Sequence, residues 1–95
     1  MPALAGLHEG DEIVVVTWLH LADRDTSTVH PRNDGRRARV GVFATRSPDR
    51  PNPIGLHRTT ITDIAPPIIA IANFEAVDGT PILDIKPVLG PPAWR

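Results

Sequence analysis

Eleven prolines are spread through these 95 residues. Each fixes its own φ, withholds a backbone N–H and turns the preceding residue away from the helical region. They argue against long helices and favour short extended segments joined by turns. Ile13–Leu21 is rich in β-branched residues and reads as a buried strand. The polar stretch 22–37, with Pro31, Asn33 and Gly35, reads as a loop. Arg39–Thr45, Leu56–Ile64, Pro67–Glu75 and Ile82–Ile85 read as four more strands, and Asp78-Gly79-Thr80-Pro81 as a tight turn before the last of them. This pattern predicts an all-β fold, a small β-barrel of short, mostly antiparallel strands with proline-rich loops. The length sets one domain over 1–95.

Several kinds of chemistry are missing from the sequence. It has no cysteine, so no disulfide framework and no thiolate metal site. No apolar run approaches the ~18–20 residues of a membrane helix. No glycine-rich G-x-G-x-x-G segment follows a strand, and no Walker-type loop is present. The histidines (His8, His20, His30, His57) are too scattered to predict a metal site.

Net charge is −1, but it is unevenly distributed. Between residues 32 and 58 stand seven arginines (Arg32, Arg36, Arg37, Arg39, Arg46, Arg50, Arg58) against two acids (Asp34, Asp49). Nine of the ten basic residues are arginine. The planar guanidinium fork suits bidentate contact with phosphate or carboxylate. Such a segment fits a solvated loop with local ion pairs, and it also hints at a phosphate-bearing partner.

Two stretches carry most of the information. Gly41–Leu56 reads GVFATRSPDRPNPIGL. Three prolines between Ser47 and Pro53 stiffen it before anything binds, which lowers the entropy lost on docking a ligand. Arg46 and Arg50 stand four apart on this frame, and Asn52 offers both donor and acceptor atoms. The same arginines are equally suited to capping loop carbonyls. The second stretch, Asp78–Pro87, reads DGTPILDIKP. Asp84 and Lys86 are two apart and so share one side of a strand, either as a plain ion pair or as one wall of a polar pocket.

Together the two stretches resemble the TrmO/TsaA-like family of tRNA methyltransferases, whose hallmark segments have nearly this wording in this order. The end of the first strand, Trp18-Leu19-His20, is similar to the family's apolar strand ending in an aromatic-x-His. The resemblance runs from Leu7 to Leu89. It implies a small β-barrel enzyme, a homodimer of the cytoplasm. This enzyme would transfer a methyl group from S-adenosylmethionine to N6 of a threonylcarbamoyl-modified adenosine at position 37 of tRNA, in the anticodon loop. The family's additional N-terminal strand has no counterpart before Leu7, so a shortened barrel is expected. His57 stands where a small polar residue is common, and Val88 where tyrosine is common.

Carried over by position, the resemblance implies cofactor contacts at His20, Leu21, Arg46, Leu56, Ala76, Val77, Asp78 and Gly79. Leu56, Ala76 and Val77 would pack on adenine, Asp78 would accept from ribose hydroxyls or the ammonium group, and Arg46 would pair with the methionyl carboxylate. An exocyclic amine is a weak nucleophile and needs a proton acceptor. Asp84 is the candidate, with Lys86, Arg50 and Asn52 holding phosphate or the modified base. The alternative is a non-catalytic remnant of the same fold that binds cofactor or RNA. No metal and no membrane are expected.

Overall fold

The computed structural model describes residues 2–31 and 34–90. Arg32 and Trp94 lie outside the described residues. Among the described residues six strands form: β1 (Glu12–Trp18), β2 (Thr28–Val29), β3 (Val40–Gly41), β4 (Ile54–Ala65), β5 (Ile68–Ile71) and β6 (Ile82–Pro87). Short 3-10 turns at Pro2–Leu4 and Val42–Ala44 accompany the strands. The all-β expectation holds.

The main sheet has the order β5-β4-β1-β6, and every neighbouring pair is antiparallel. β1 is central, pairing with β4 from Glu12↔Thr60 to Trp18↔Ile54 and with β6 from Ile13↔Pro87 to Thr17↔Ile82. Side chains alternate across it, so Ile13, Val15 and Thr17 are buried on one face while Val14, Val16 and Trp18 stay half-buried on the other. The core is Ile13, Val15 and Ile61, covered by side chains that include Leu7, Ile69, Phe74 and Ile85.

The expected barrel is corrected, because the sheet does not close. β5 and β6 are its two edges, and β2–β3 forms a separate two-residue ribbon. A barrel needs strands long enough to carry pairing around from one edge to the other. The predicted strand Arg39–Thr45 supplies only Val40–Gly41 before Val42–Ala44 tightens into a 3-10 turn, held by Thr45 N–H donating to the Val42 carbonyl at 3.0 Å. The stretch 22–37 is not wholly loop, since it contributes Thr28–Val29. β1 ends at Trp18 rather than Leu21, β5 stops at Ile71 rather than Glu75, and β6 runs on to Pro87.

Candidate functional site

Three sequence segments meet at one end of the sheet: the chain leaving β1 (Leu19–Ala22), the proline-rich loop before β4, and the stretch Phe74–Thr80 before β6. Hydrogen bonds tie the first two together. Leu19 N–H donates to the Pro53 carbonyl at 2.7 Å, Asp23 N–H to Asp49 Oδ1 at 2.9 Å, and Arg24 Nε to the Pro51 carbonyl at 2.9 Å. The guanidinium of Arg24 also lies 5.1 Å over the Trp18 ring. The third segment ends in a turn in which Thr80 N–H donates to the Val77 carbonyl at 3.1 Å and Gly79 adopts φ +83°. That left-handed position is open to glycine at no steric cost. Exposed Asp78 sits at the corner.

Two cavities lie here and share Leu19 and Pro48 as common wall. One, of about 310 Å³, is bounded by His20, Leu21, Asp49, Ala76 and Val77 among others. The other, of about 270 Å³, is bounded by Arg46, Arg50, Ile54, Leu56 and His57. Six of the eight expected cofactor residues, His20, Leu21, Ala76, Val77, Arg46 and Leu56, therefore border two adjoining hollows, although they come from three separate stretches. Asp78 and Gly79 follow directly in the turn.

The arginines divide by what their guanidinium groups do. Arg36 pairs with Asp34 at 3.1 Å, Arg39 donates to the Thr28 hydroxyl and carbonyl, and Arg58 pairs with Glu12 at 2.5 Å. Arg50 donates to the carbonyls of Thr45 (3.0 Å), Ser47 (3.2 Å) and Val42 (3.0 Å), and lies 5.6 Å from the Phe43 ring centroid. Its guanidinium clamps the loop, as in the carbonyl-capping alternative, and its side chain also borders the second cavity. Arg46 is exposed and makes no hydrogen bond or ion pair among the described residues. It borders the second cavity and also a third, of about 400 Å³, lined by Val29, Pro31, Arg37, Thr45 and Ser47.

Asp84 and Lys86 stand apart from both hollows. They pair at 2.9 Å on β6, at the far side of β1 from Leu56. Asp84 Oδ1 also accepts from the Ile85 N–H at 2.8 Å. Hydrogen bonds from Lys86 and from the Ile85 backbone hold the Asp84 carboxyl below the usual carboxylate range. A carboxylate so engaged is a weaker proton acceptor. On this edge strand Asp84 therefore covers its neighbour's backbone donor, as edge strands often require. Asn52 is exposed, and its carbonyl accepts from the Ile54 N–H at 2.8 Å.

Thr17 and His57 belong to no motif that marks them in the sequence, yet they meet in the fold. Thr17 Oγ1 and His57 Nε2 are 2.8 Å apart, and the His57 ring packs against Phe74 with centroids 4.6 Å apart and the planes tilted by 52°. The signal was Gly55, opposite Thr17 in the register. A Cβ there would stand 2.5 Å from Thr17 Oγ1 and 2.6 Å from His57 Nε2, so only glycine leaves room for the pair. Among the described residues, no group of three or more His, Asp or Glu side chains is placed to hold a metal ion, and no helix is long and apolar enough to cross a membrane.

An open antiparallel sheet carrying a three-segment, arginine-bearing hollow at one end is the class of architecture on hand, and comparison with known proteins gives it a family. Residues 1–91 match the family model of the tRNA-methyltransferase O N-terminal domain, and the chain belongs to that family. A probable S-adenosyl-L-methionine-binding protein of Methanothermobacter thermautotrophicus is 42% identical over 87 residues, covering 92% of this chain and 61% of the relative. A similarly named protein of Methanocaldococcus jannaschii is 48% identical over 87 residues, covering 87% of this chain and 69% of the relative. The tRNA (adenine(37)-N6)-methyltransferase of Escherichia coli is 46% identical over 66 residues, covering 65% of this chain and 28% of the relative.

Proposed function

We propose that this chain binds S-adenosylmethionine in the paired hollows and contributes to methylation of N6 on the modified adenosine 37 of tRNA, in the cytoplasm. The observation that carries the reading is Arg46. Within an arginine-rich segment whose other described guanidinium groups are engaged, it remains unpartnered beside an apolar hollow. An unpaired cation next to Leu19, Ile54 and Leu56 suits a ligand with one anionic end and one flat apolar end. Two adjoining cavities of about 270 and 310 Å³ together lie in the range of about 300–1,000 Å³ common for small-molecule sites. Leu21, Ala76 and Val77 provide apolar surface in the first, and Asp78 stands at its rim with an acceptor for hydroxyls or an ammonium group. The relatives' names support the same cofactor.

S-adenosylmethionine brings an electrophilic methyl group on a sulfonium. The chain's residues have to bind and orient it, since a displacement at carbon depends chiefly on aligned reactants. Arg50 acts one step away, by fixing the carbonyls on either side of Arg46. Asn52 and the arginines of 36–39 and 58 lie on exposed surface and are assigned to the RNA side, where affinity falls as salt rises. Asp84 and Lys86 are assigned to the sheet edge rather than to proton transfer.

The homodimer belongs to the same proposal. The second face of the main sheet presents Ile54, Leu56, Val14, Val16 and Trp18, with Ile54 and Leu56 well exposed. Leu56 stands both on this face and in the cofactor hollow, so a second copy on the face would abut the site. Incubating the purified protein with S-adenosylmethionine and tRNA carrying the threonylcarbamoyl group, followed by nucleoside mass spectrometry, tests the activity. A mass gain of one methyl on the modified adenosine supports it. Cofactor binding without any methylated nucleoside favours the non-catalytic reading.

A further inference from the structure

We infer that His57 is a specificity-determining residue of the Arg46 hollow, holding its Nδ1–H as a fixed donor to a ligand carboxylate. The inference rests on the functional reading above and adds a residue that the motif comparison left without a role. It starts from Thr17, whose side chain is fully buried at the centre of the sheet. Its hydroxyl has one side-chain hydrogen-bond neighbour, His57 Nε2 at 2.8 Å. A hydroxyl carries one proton to give, and leaving that donor unmet in a core costs about 1–3 kcal/mol. Donating to Nε2 meets it. Nε2 is then the acceptor nitrogen of a neutral ring, and the ring proton sits on Nδ1.

Nδ1 makes no hydrogen bond among the described residues. None of their buried side-chain nitrogen or oxygen atoms lacks a partner, so Nδ1 must reach accessible space. The ring borders the hollow shared with Arg46 and Leu56, and the proposal assigns Nδ1 to it. The ring cannot readily turn to another use. Phe74 packs against it, tilted, with centroids 4.6 Å apart, and the missing Cβ at Gly55 is what seats the Thr17–His57 pair. A neutral N–H donor and a free guanidinium on one apolar hollow make a two-point site for a carboxylate. Two carboxylates are available to it: that of the cofactor's amino-acid end, and that of the threonyl group on the target base.

The test has two parts. In nitrogen-detected NMR of the free protein at pH 8.5, above the ordinary imidazole range, His57 should show a protonated Nδ1 and an unprotonated Nε2. The opposite assignment would overturn the proposal without reference to any ligand. Binding is then compared for His57→Phe and His57→Asn, each checked for fold by circular dichroism. Asparagine keeps an N–H near the Nδ1 position. If the cofactor carboxylate is the ligand, His57→Phe loses about tenfold in affinity for S-adenosylmethionine, the scale of one hydrogen bond to a charged group. Its affinity for 5′-methylthioadenosine, which lacks the carboxylate, stays unchanged, and His57→Asn retains most of the wild-type affinity. If the base carboxylate is the ligand, the same pattern separates modified from unmodified anticodon stem-loop RNA while S-adenosylmethionine binds normally. Equal losses for ligands with and without the carboxylate, or no loss for either, defeat the His57 assignment alone. Failure of the wild type to bind S-adenosylmethionine defeats the functional reading and this assignment with it.

Discussion

Arg46 and Arg50 are four residues apart, carry the same charge and do different work. Arg50 donates to three loop carbonyls, so Arg50→Ala should cost about 1–3 kcal/mol of stability, read as a shift of the urea midpoint. It should also speed amide exchange across Val42–Ser47. Arg46 has no such partner, and Arg46→Ala should leave stability within about 0.5 kcal/mol. The sequence named both arginines but not the division between them, because spacing does not reveal which carbonyls a folded loop will turn inward. Gly55 carries a similar distinction. A methyl group there would meet Thr17 Oγ1 and His57 Nε2 at 2.5 and 2.6 Å. Gly55→Ala should therefore destabilise by about 1–3 kcal/mol through overpacking, seen as a lower thermal midpoint.

At the scale of the element, β6 shows how an edge strand is kept from pairing. The Asp84 carboxylate covers the Ile85 N–H and holds Lys86, and Pro87 has no N–H to offer. Because its folded-state pKa is lowered, Asp84 adds stability that is present above its unfolded value and is lost as pH falls through the folded one. Denaturant midpoints measured from pH 6 down to pH 2 should fall for the wild type. Asp84→Asn should remove part of that slope while changing the difference little at its acid end. The strands β1, β4 and β6 were legible in advance because β-branched residues mark them out and turn residues bound them. The strand predicted over Arg39–Thr45 was not. There a 3-10 turn satisfies the backbone locally, and the apolar letters of Val42 and Phe43 read the same in either state. The hollow itself was legible only through the family resemblance, since no periodicity announces that Leu19, Arg46 and Val77 will meet.

For the molecule as a whole, the open sheet leaves one face lightly covered. Among the described residues, Val42 and Pro53 are buried besides the Ile13–Val15–Ile61 core, while Leu21, Ile54, Leu56 and Ile68 stay exposed. A core this small supports only marginal stability on its own. If a second copy covers the Val14–Val16–Leu56 face, stability is tied to concentration by mass action. The thermal midpoint should then rise as protein concentration is raised a hundredfold, with light scattering giving twice the chain mass at the upper end. A midpoint independent of concentration and a single-chain mass throughout would remove the dimer from the account. The central claim is the cofactor site that Arg46 completes, and calorimetric titration with S-adenosylmethionine tests it most directly. The account predicts saturable binding by the wild-type chain and at least tenfold weaker binding by a folded Arg46→Ala. Wild-type protein that is folded and takes up no S-adenosylmethionine, or an Arg46→Ala variant that binds it as tightly as wild type, would contradict it.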